Sequence, residues 1–271
     1  MDQKQEFFTK TEQDPESGMY VQFISATWPM LPLSVSIMYL LFVIVAPHLM
    51  EQRKSFQLKK SVAVWNFLLT VFSCCGMVRV VPCLFYLLKT STFHDTICLD
   101  PEYLDKGAVG LWSMLFVFSK MAELLDTVFL VLNKKKLVFL HWYHHLTVLL
   151  LSWHAYLSRS PISIYAMSMN YSIHSPMYGY YFLRSIGKWP RWLSPQFITV
   201  AQISQMIVGS GVCMVGIFYK LQDPQCHAPM SNIVFATFIY WTYLFLFVQF
   251  FFRRFEKKKI FQTGKPLKSQ V

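Results

Sequence analysis

Charge is scarce in this chain: Asp, Glu, Lys and Arg make up only 14% of its 271 residues. Soluble domains carry about 25%. That shortage, with 54% hydrophobic and 17% aromatic residues, excludes an ordinary water-facing fold and implies a polytopic membrane protein. Alternating polarity is missing too. A transmembrane barrel would show it in segments of about ten residues; the runs here are apolar throughout, which leaves helices as the spanning structure. None of the six cysteines forms a C-x-x-C zinc motif. No apolar signal-peptide core precedes residue 28. The opening segment is polar and acidic (Asp2, Glu6, Glu12, Asp14, Glu16), so the first span is expected to direct insertion itself.

Seven apolar stretches are present, each near the roughly 20 residues needed to cross about 30 Å of hydrocarbon. They lie at about 28–50, 62–83, 108–132, 137–157, 162–183, 195–219 and 232–252. Basic residues gather in every second connection: Arg53, Lys54, Lys59 and Lys60; Lys134 to Lys136; Arg184, Lys188 and Arg191; and a run from Arg253 to Lys268. The intervening segments hold fewer, notably the 89–107 loop with Asp95, Asp100, Glu102 and Asp105, the turn at Arg159 and the 220–231 loop. By the positive-inside rule the N-terminus is then non-cytosolic and the C-terminus cytosolic, and an odd number of spans agrees. The net charge of +11 reflects segments suited to anionic head groups or a phosphate-rich cofactor, and no nucleic acid is expected as a partner. The expected organisation is an N-terminal segment (1–27), one transmembrane catalytic domain (28–254) and a basic cytosolic tail (255–271).

Cys74, Cys75, Cys83 and Cys213 lie in apolar runs and read as small hydrophobes. Cys98 and Cys226 both fall in loops on the non-cytosolic side, which is oxidising in the endoplasmic reticulum, so a disulfide between them is expected. The sequon Asn170-Tyr171-Ser172 lies inside the fifth span, out of reach of glycosylation, and Asn170 reads instead as a polar site residue.

Four spans carry polar stripes. In span three Lys120, Glu123, Asp126 and Thr127 cover about a third of the helix circumference, with Lys120 one turn from Glu123 and placed to pair with it. Span four holds His141, His144 and His145, an H-x-x-H-H box; at about 100° per residue the three rings face one small volume. Span five carries Asn170, His174, Tyr178 and Tyr181 within about 80° of one another, and span six Thr199, Gln202 and Gln205. Such stripes often only join helices through hydrogen bonds worth about 0.6 kcal/mol. For span six that bland reading stands level with a functional one. For the histidine box it is weak, because clustered imidazoles repel when protonated and intramembrane ionisable groups mark function by default. His154, isolated at the far end of span four, reads as structural; His48, His94 and His227 lie near span ends or in loops, and Arg79 is placed to snorkel.

Three chemistries remain open at this point. A di-iron centre like that of membrane desaturases and hydroxylases needs several histidine boxes, and this chain has one, so only a zinc ion held by the box and Asp126 stays in play. A seven-helix receptor or transporter without chemistry is the second, for which Pro176 and the Gly209, Gly211, Gly216 group are faint hints. A nucleophilic histidine fits better. A neutral imidazole attacks a thioester to give an acyl-imidazole about as energy-rich as the bond it replaces, which splits one acyl transfer into two easier steps.

Lys120-x-x-Glu123-x-x-Asp126-Thr127, His141-Trp142-Tyr143-His144-His145, Met169-Asn170-Tyr171-x-x-His174-x-x-Met177-Tyr178-x-Tyr180-Tyr181 and Thr199-x-x-Gln202-x-x-Gln205 together resemble, in order and spacing, the four signature boxes of the very-long-chain fatty acid elongases. The resemblance runs from the first span to the last. Trp142-Tyr143 and Met169-Asn170-Tyr171 are similar to the branch acting on saturated and monounsaturated long-chain acyl groups. It implies an all-α polytopic fold of seven transmembrane helices, six of them a barrel of two inverted three-helix units around a tunnel closed at its lumenal end. It implies a 3-oxoacyl-CoA synthase of the endoplasmic reticulum membrane that condenses long-chain acyl-CoA with malonyl-CoA and releases carbon dioxide and CoA. Those CoA thioesters are its substrates; no separate cofactor and no metal is implied. The implied partners are the lipid bilayer and the reductases and dehydratase of the elongation cycle, with a homodimer left open.

Carried over residue by residue, the resemblance makes His144 the nucleophile that takes the acyl group, with His141 and His145 orienting it and handling protons. His174 and Asn170 position the thioester and the developing enolate, and Glu123 and Asp126 hold the histidine network in its reactive tautomer. Lys120, with Lys134, Lys135, Lys136, Arg253 and Arg254 at the cytosolic mouth, is implied to bind CoA phosphates, and Gln202 and Gln205 are further implied contacts of the CoA thioester. A Cys98–Cys226 bridge also matches the family. The terminus Lys268-Ser269-Gln270-Val271 lacks the paired lysines of a dilysine retrieval signal, so residence in the endoplasmic reticulum rests on the resemblance.

Overall fold

A computed structural model describes residues 30–103, 107–188 and 194–263, with side chains as far as residue 254. The segment 1–27 and the end of the basic tail lie outside the described residues, as do Asp105 and Arg191. Among the described residues the only regular structure is helical. The elements are α1 (Leu31–Glu51), α2 (Lys59–Thr90), α3 (Phe93–Ile97), a 3-10 turn (Pro101–Tyr103), α4 (Gly107–Ala122), α5 (Leu125–Leu132), α6 (Phe139–Leu157), α7 (Ser163–Ser185), α8 (Pro195–Gln222) and α9 (Met230–Thr263). Four helices, α1, α2, α8 and the Met230–Arg254 part of α9, are long and apolar enough to cross a membrane. Their outer faces expose Ile37, Phe67, Phe85, Phe197, Phe218 and Phe245, a coat that hydrocarbon covers at no cost and water does not. The chain is a multi-pass membrane protein.

The expected third span, one helix over 108–132, is two helices. At the break Leu124 N donates to Met121 O, Asp126 N to Glu123 O and Thr127 N to Leu124 O, three-residue steps that tighten the coil. Hydropathy is blind to this break because apolar residues flank it on both sides. The second span also differs in length. It is expected over 62–83 but runs to Thr90, where extended Ser91 stops it and a Thr92/Asp95 capping box starts α3. At the C-terminal end α9 passes the expected boundary at 254 and continues to Thr263.

Three successive helices end alike. After α5, α6 and α7 the chain places one residue in the left-handed region, Lys134 (φ 50°), Arg159 (φ 50°) and Gly187 (φ 79°). Lys135 N then donates to Leu130 O (2.9 Å), Ser160 N to Ala155 O (3.0 Å) and Lys188 N to Leu183 O (2.9 Å), closing a Schellman motif each time. Glycine suits that position and lysine does not. Lys134 is held there by its own Nζ, which donates to Glu51 O (3.0 Å) and Arg53 O (3.1 Å) and ties the α5–α6 turn to the end of α1.

Helix packing runs from α2 to α7, α7 to α8, α8 to α9, α9 to α6, α6 to α4 and α4 back to α2, while α1 lies against α6 and α5. Glycines allow close approach at three points. A Cβ on Gly76 of α2 would strike the Tyr171 ring at 2.5 Å, one on Gly216 of α8 would meet Ile162 Cδ1 at 2.7 Å, and one on Gly209 would collide with the Tyr240 ring. The expected disulfide is present: Cys98 and Cys226, with Cα atoms 4.5 Å apart, join the end of α3 to the α8–α9 loop.

Candidate active site

Helix α6 starts at Phe139, so the three histidines of the box occupy its first two turns. They share one neighbourhood, with the His141 and His145 rings 4.5 Å apart and those of His144 and His145 5.5 Å apart. Their environments differ. His141 Nε2 lies 3.0 Å from Thr127 Oγ1, which is itself hydrogen-bonded to the Tyr39 hydroxyl at 2.7 Å, so α1, α5 and α6 meet at that ring. His145 is buried and its Nδ1 has no hydrogen-bond partner among the described residues. The His144 ring packs 4.9 Å from Tyr243 of α9, whose hydroxyl donates to His144 O at 3.2 Å.

Beside His144 lies an apolar cavity, a tunnel that extends along α6 from His144 to Tyr156. Phe116, Leu151 and Met206 line it, as do Tyr165 and Asn232, with walls from α4, α6, α7, α8 and α9. At the His144 end the wall includes two amides, Asn170 and Gln205, and Gln205 is 8% exposed. His141, His145 and His174 are not part of the wall.

Against Asn170 lies a buried polar circuit of four residues. Lys120 Nζ donates to Glu123 Oε1 (2.5 Å) and to Asn170 Oδ1 (3.1 Å). Asn170 Nδ2 lies 3.0 Å from His174 Nε2, and His174 Nδ1 lies 3.9 Å from Glu123 Oε2. The pairing of Lys120 with Glu123 agrees with their spacing on one helix turn. Lys120 is 1% exposed and sits 4.4 Å over the Phe116 ring, buried where the other expected phosphate contacts, Lys134, Lys135 and Lys136, are exposed. Asp126 bonds no histidine: Oδ1 accepts from Trp65 Nε1 (2.7 Å) and Oδ2 from the Tyr178 hydroxyl (3.0 Å), and Tyr178 in turn packs on the His174 ring at 5.3 Å. Its influence on the histidines therefore passes through Tyr178.

The remaining expected residues are scattered. Lys134, Lys135 and Lys136 are exposed at the α5–α6 turn, and Arg253 and Arg254 are exposed on α9. Gln202 Nε2 donates to Met177 Sδ (3.3 Å) and Thr199 Oγ1 to Pro195 O (3.0 Å), which are helix-joining and local bonds, whereas Gln205 reaches the tunnel. Tyr181 is 46% exposed and leaves the stripe of Asn170, His174 and Tyr178. Each Asp126 oxygen accepts one hydrogen bond, and among the described residues no group of three or more His, Cys, Asp or Glu side chains is placed to hold a metal ion. Tyr240 and Tyr243 were not anticipated, although a sequence signal exists. Asn232, Ala236, Tyr240, Tyr243 and Phe247 recur at spacings of three or four and form one stripe of α9.

These features define a class: a multi-pass membrane protein with a histidine and two amides at one end of a buried apolar tunnel. Comparison with known proteins agrees. The family model described as ELO, GNS1/SUR4 family, matches residues 24–262. Very long chain fatty acid elongase 6 of Gallus gallus is 40% identical over 223 residues, covering 81% of this chain and 82% of the relative. The Homo sapiens elongase 6 is 39% identical over 222 residues, with 81% and 82% covered, and Homo sapiens elongase 3 is 34% identical over 226 residues, with 83% of each covered. The chain belongs to the ELO family.

Proposed function

We propose that this protein is the condensing enzyme of fatty acid elongation, a 3-oxoacyl-CoA synthase that joins a long-chain acyl-CoA to malonyl-CoA. The observation that carries the reading is the position of His144, the only histidine of the tunnel wall among the described residues. A thioester carbonyl beside this ring leaves its acyl chain an apolar tunnel to occupy. The names of the relatives supply the class of reaction.

In the first step His144 attacks the thioester carbonyl, the carbon–sulfur bond breaks, and CoA leaves as the thiol with the proton of the imidazole. Malonyl-CoA then takes the place of CoA. Loss of carbon dioxide leaves its electron pair on the α-carbon as a thioester enolate, which attacks the acyl carbonyl. The carbon–nitrogen bond breaks, His144 regains a proton from solvent, and 3-oxoacyl-CoA departs two carbons longer. Asn170 and Gln205 donate amide N–H groups to the oxyanions that form. His145 packs on His144 and His141 packs on His145, so the two hold the orientation of His144 in relay, while His174 and Glu123 form the proton-handling pair next to Asn170. CoA phosphates lie on Lys134 to Lys136 with Arg253 and Arg254.

In this reading α4 and α5 count as one span, seven spans in all. Helices α2, α4, α6, α7, α8 and α9 form a barrel around the tunnel with α1 outside it, which the order of helix contacts supports. The protein resides in the endoplasmic reticulum membrane with its N-terminus lumenal and its C-terminus cytosolic, so the water-soluble CoA arrives on the side of the basic turn. The reductases and dehydratase that process the 3-oxo product are its working partners.

The test uses purified protein and labelled acyl-CoA alone. Release of CoA in proportion to enzyme before any malonyl-CoA is added, with acylated His144 found by mass spectrometry and no release from His144→Ala, is the expected result. Elongation that continues in the His144→Ala protein overturns the reading.

A further inference from the structure

Resting on that reading, we infer that Lys120 is a positioning residue: acting through Asn170, it fixes His174 with its proton on Nδ1 and its basic lone pair on Nε2. An ammonium group only donates. The Asn170 atom it bonds at 3.1 Å is therefore the carbonyl oxygen, and the amide nitrogen is what faces His174 Nε2 at 3.0 Å. Amide N–H also only donates, so Nε2 must accept. The ring proton then sits on Nδ1, on the side of Glu123 Oε2, 3.9 Å away.

Glu123 adds a second observation. Its Oε1 accepts from Lys120 and from Ser119 Oγ (3.3 Å), yet its buried Oε2 has no hydrogen-bond partner among the described residues. A buried carboxylate oxygen left bare is costly. The Nδ1–H that the Lys120–Asn170 bond dictates lies on the side of this oxygen, 3.9 Å away, and a shift of about 1 Å closes that gap to hydrogen-bond length. With Nδ1–H against a carboxylate, His174 can take a proton on Nε2 once the Asn170 N–H turns from that nitrogen to substrate, while Glu123 stabilises the resulting charge, as a carboxylate does for a triad histidine. The basic nitrogen is the one next to Asn170, which belongs to the tunnel wall. Lys120 thus orients a base without touching substrate.

The decisive measurement is the nitrogen NMR spectrum of histidine-labelled, substrate-free protein in bilayers, with the His174 signals assigned by their loss in His174→Gln. A protonated Nδ1 and bare Nε2 are expected; a proton on Nε2 overturns the inference without touching the condensing-enzyme reading, because no reaction is involved. Lys120→Met frees the Asn170 amide to turn, so the Nε2–H form should appear, with kcat lowered about 10²-fold or more and KM for both CoA substrates nearly unchanged. A raised KM at unchanged kcat would instead make Lys120 a substrate contact. Should Lys120→Met fail to fold, Asn170→Asp serves, since a carboxylate beside Nε2 can only accept and must invert the tautomer.

Discussion

On the proposed function, Asn232 offers the sharpest test of how the tunnel measures an acyl chain. It belongs to the tunnel wall at the end remote from His144, is 4% exposed, and its Nδ2 lies 2.9 Å from His154 Nδ1. At 1.5 Å per residue, the helix rise from His144 to His154 on α6 is about 15 Å. An extended chain advances about 1.25 Å per carbon, the projection of a bond of about 1.5 Å, so about a dozen carbons fit before the tail reaches the amide. Each further methylene buried in the tunnel gains about 0.8 kcal/mol, but pressing a methyl group onto an amide that has lost its water costs about 1–3 kcal/mol. The stop is then chemical as much as steric. Asn232→Leu separates the two, because leucine is larger than asparagine yet apolar. A polar stop predicts longer products, with discrimination against the next acyl-CoA in the series relaxed by about 5- to 150-fold; a steric stop predicts shorter ones. The assay compares kcat/KM across saturated acyl-CoAs of increasing length with labelled malonyl-CoA and reconstituted enzyme. Shorter or unchanged products from the leucine variant would refute the reasoning.

The bridge between Cys98 and Cys226 spans a sequence separation of 128 residues, for which chain entropy assigns about 4–5 kcal/mol. Cys98→Ser is expected to lower the melting temperature measured with reductant absent, Cys226→Ser to do the same, and the double variant to add nothing. A double variant much worse than either single one would contradict the pairing. At the α5–α6 turn, Lys135→Ala with Lys136→Ala should raise KM for both CoA thioesters by about 3- to 10-fold, with kcat retained, and the effect should shrink at high salt as exposed charges are screened. A salt-independent loss of kcat would remove these lysines from the phosphate site.

Much of this site is readable in the sequence because it violates its surroundings. Three imidazoles inside an apolar run, and a lysine one turn from a glutamate at membrane depth, are costly unless they face a shared polar volume, so His141, His144, His145, Lys120 and Glu123 declare themselves. Cys98 and Cys226 are readable for the same kind of reason, since they are the two cysteines outside apolar runs. Depth around the helix is less readable. The motif spacing pairs Lys120 with Glu123 but does not show that the pair turns inward to Asn170. Contacts between distant segments leave no local trace: Trp65 reaches Asp126 across 61 positions and Tyr39 reaches Thr127 across 88. The break after Ala122 is hidden because hydrophobicity does not register a change from four-residue to three-residue hydrogen bonds. One missed signal was available in Thr92-x-x-Asp95, a capping pair inside what reads as a polar loop.

Gly76 and Gly216 are absent from the lining of the tunnel, yet each supports a ring or branch that faces it or backs it. Ile162, pressed into the hollow of Gly216, forms part of the remote wall, and Tyr171, seated on Gly76, buttresses Phe116 at a ring distance of 5.3 Å. The bore is consequently gauged from outside. On the proposed function, one methyl group added behind such a wall residue would narrow the passage ahead of it, so the girth of acyl chain accepted is set in part by residues outside the lining.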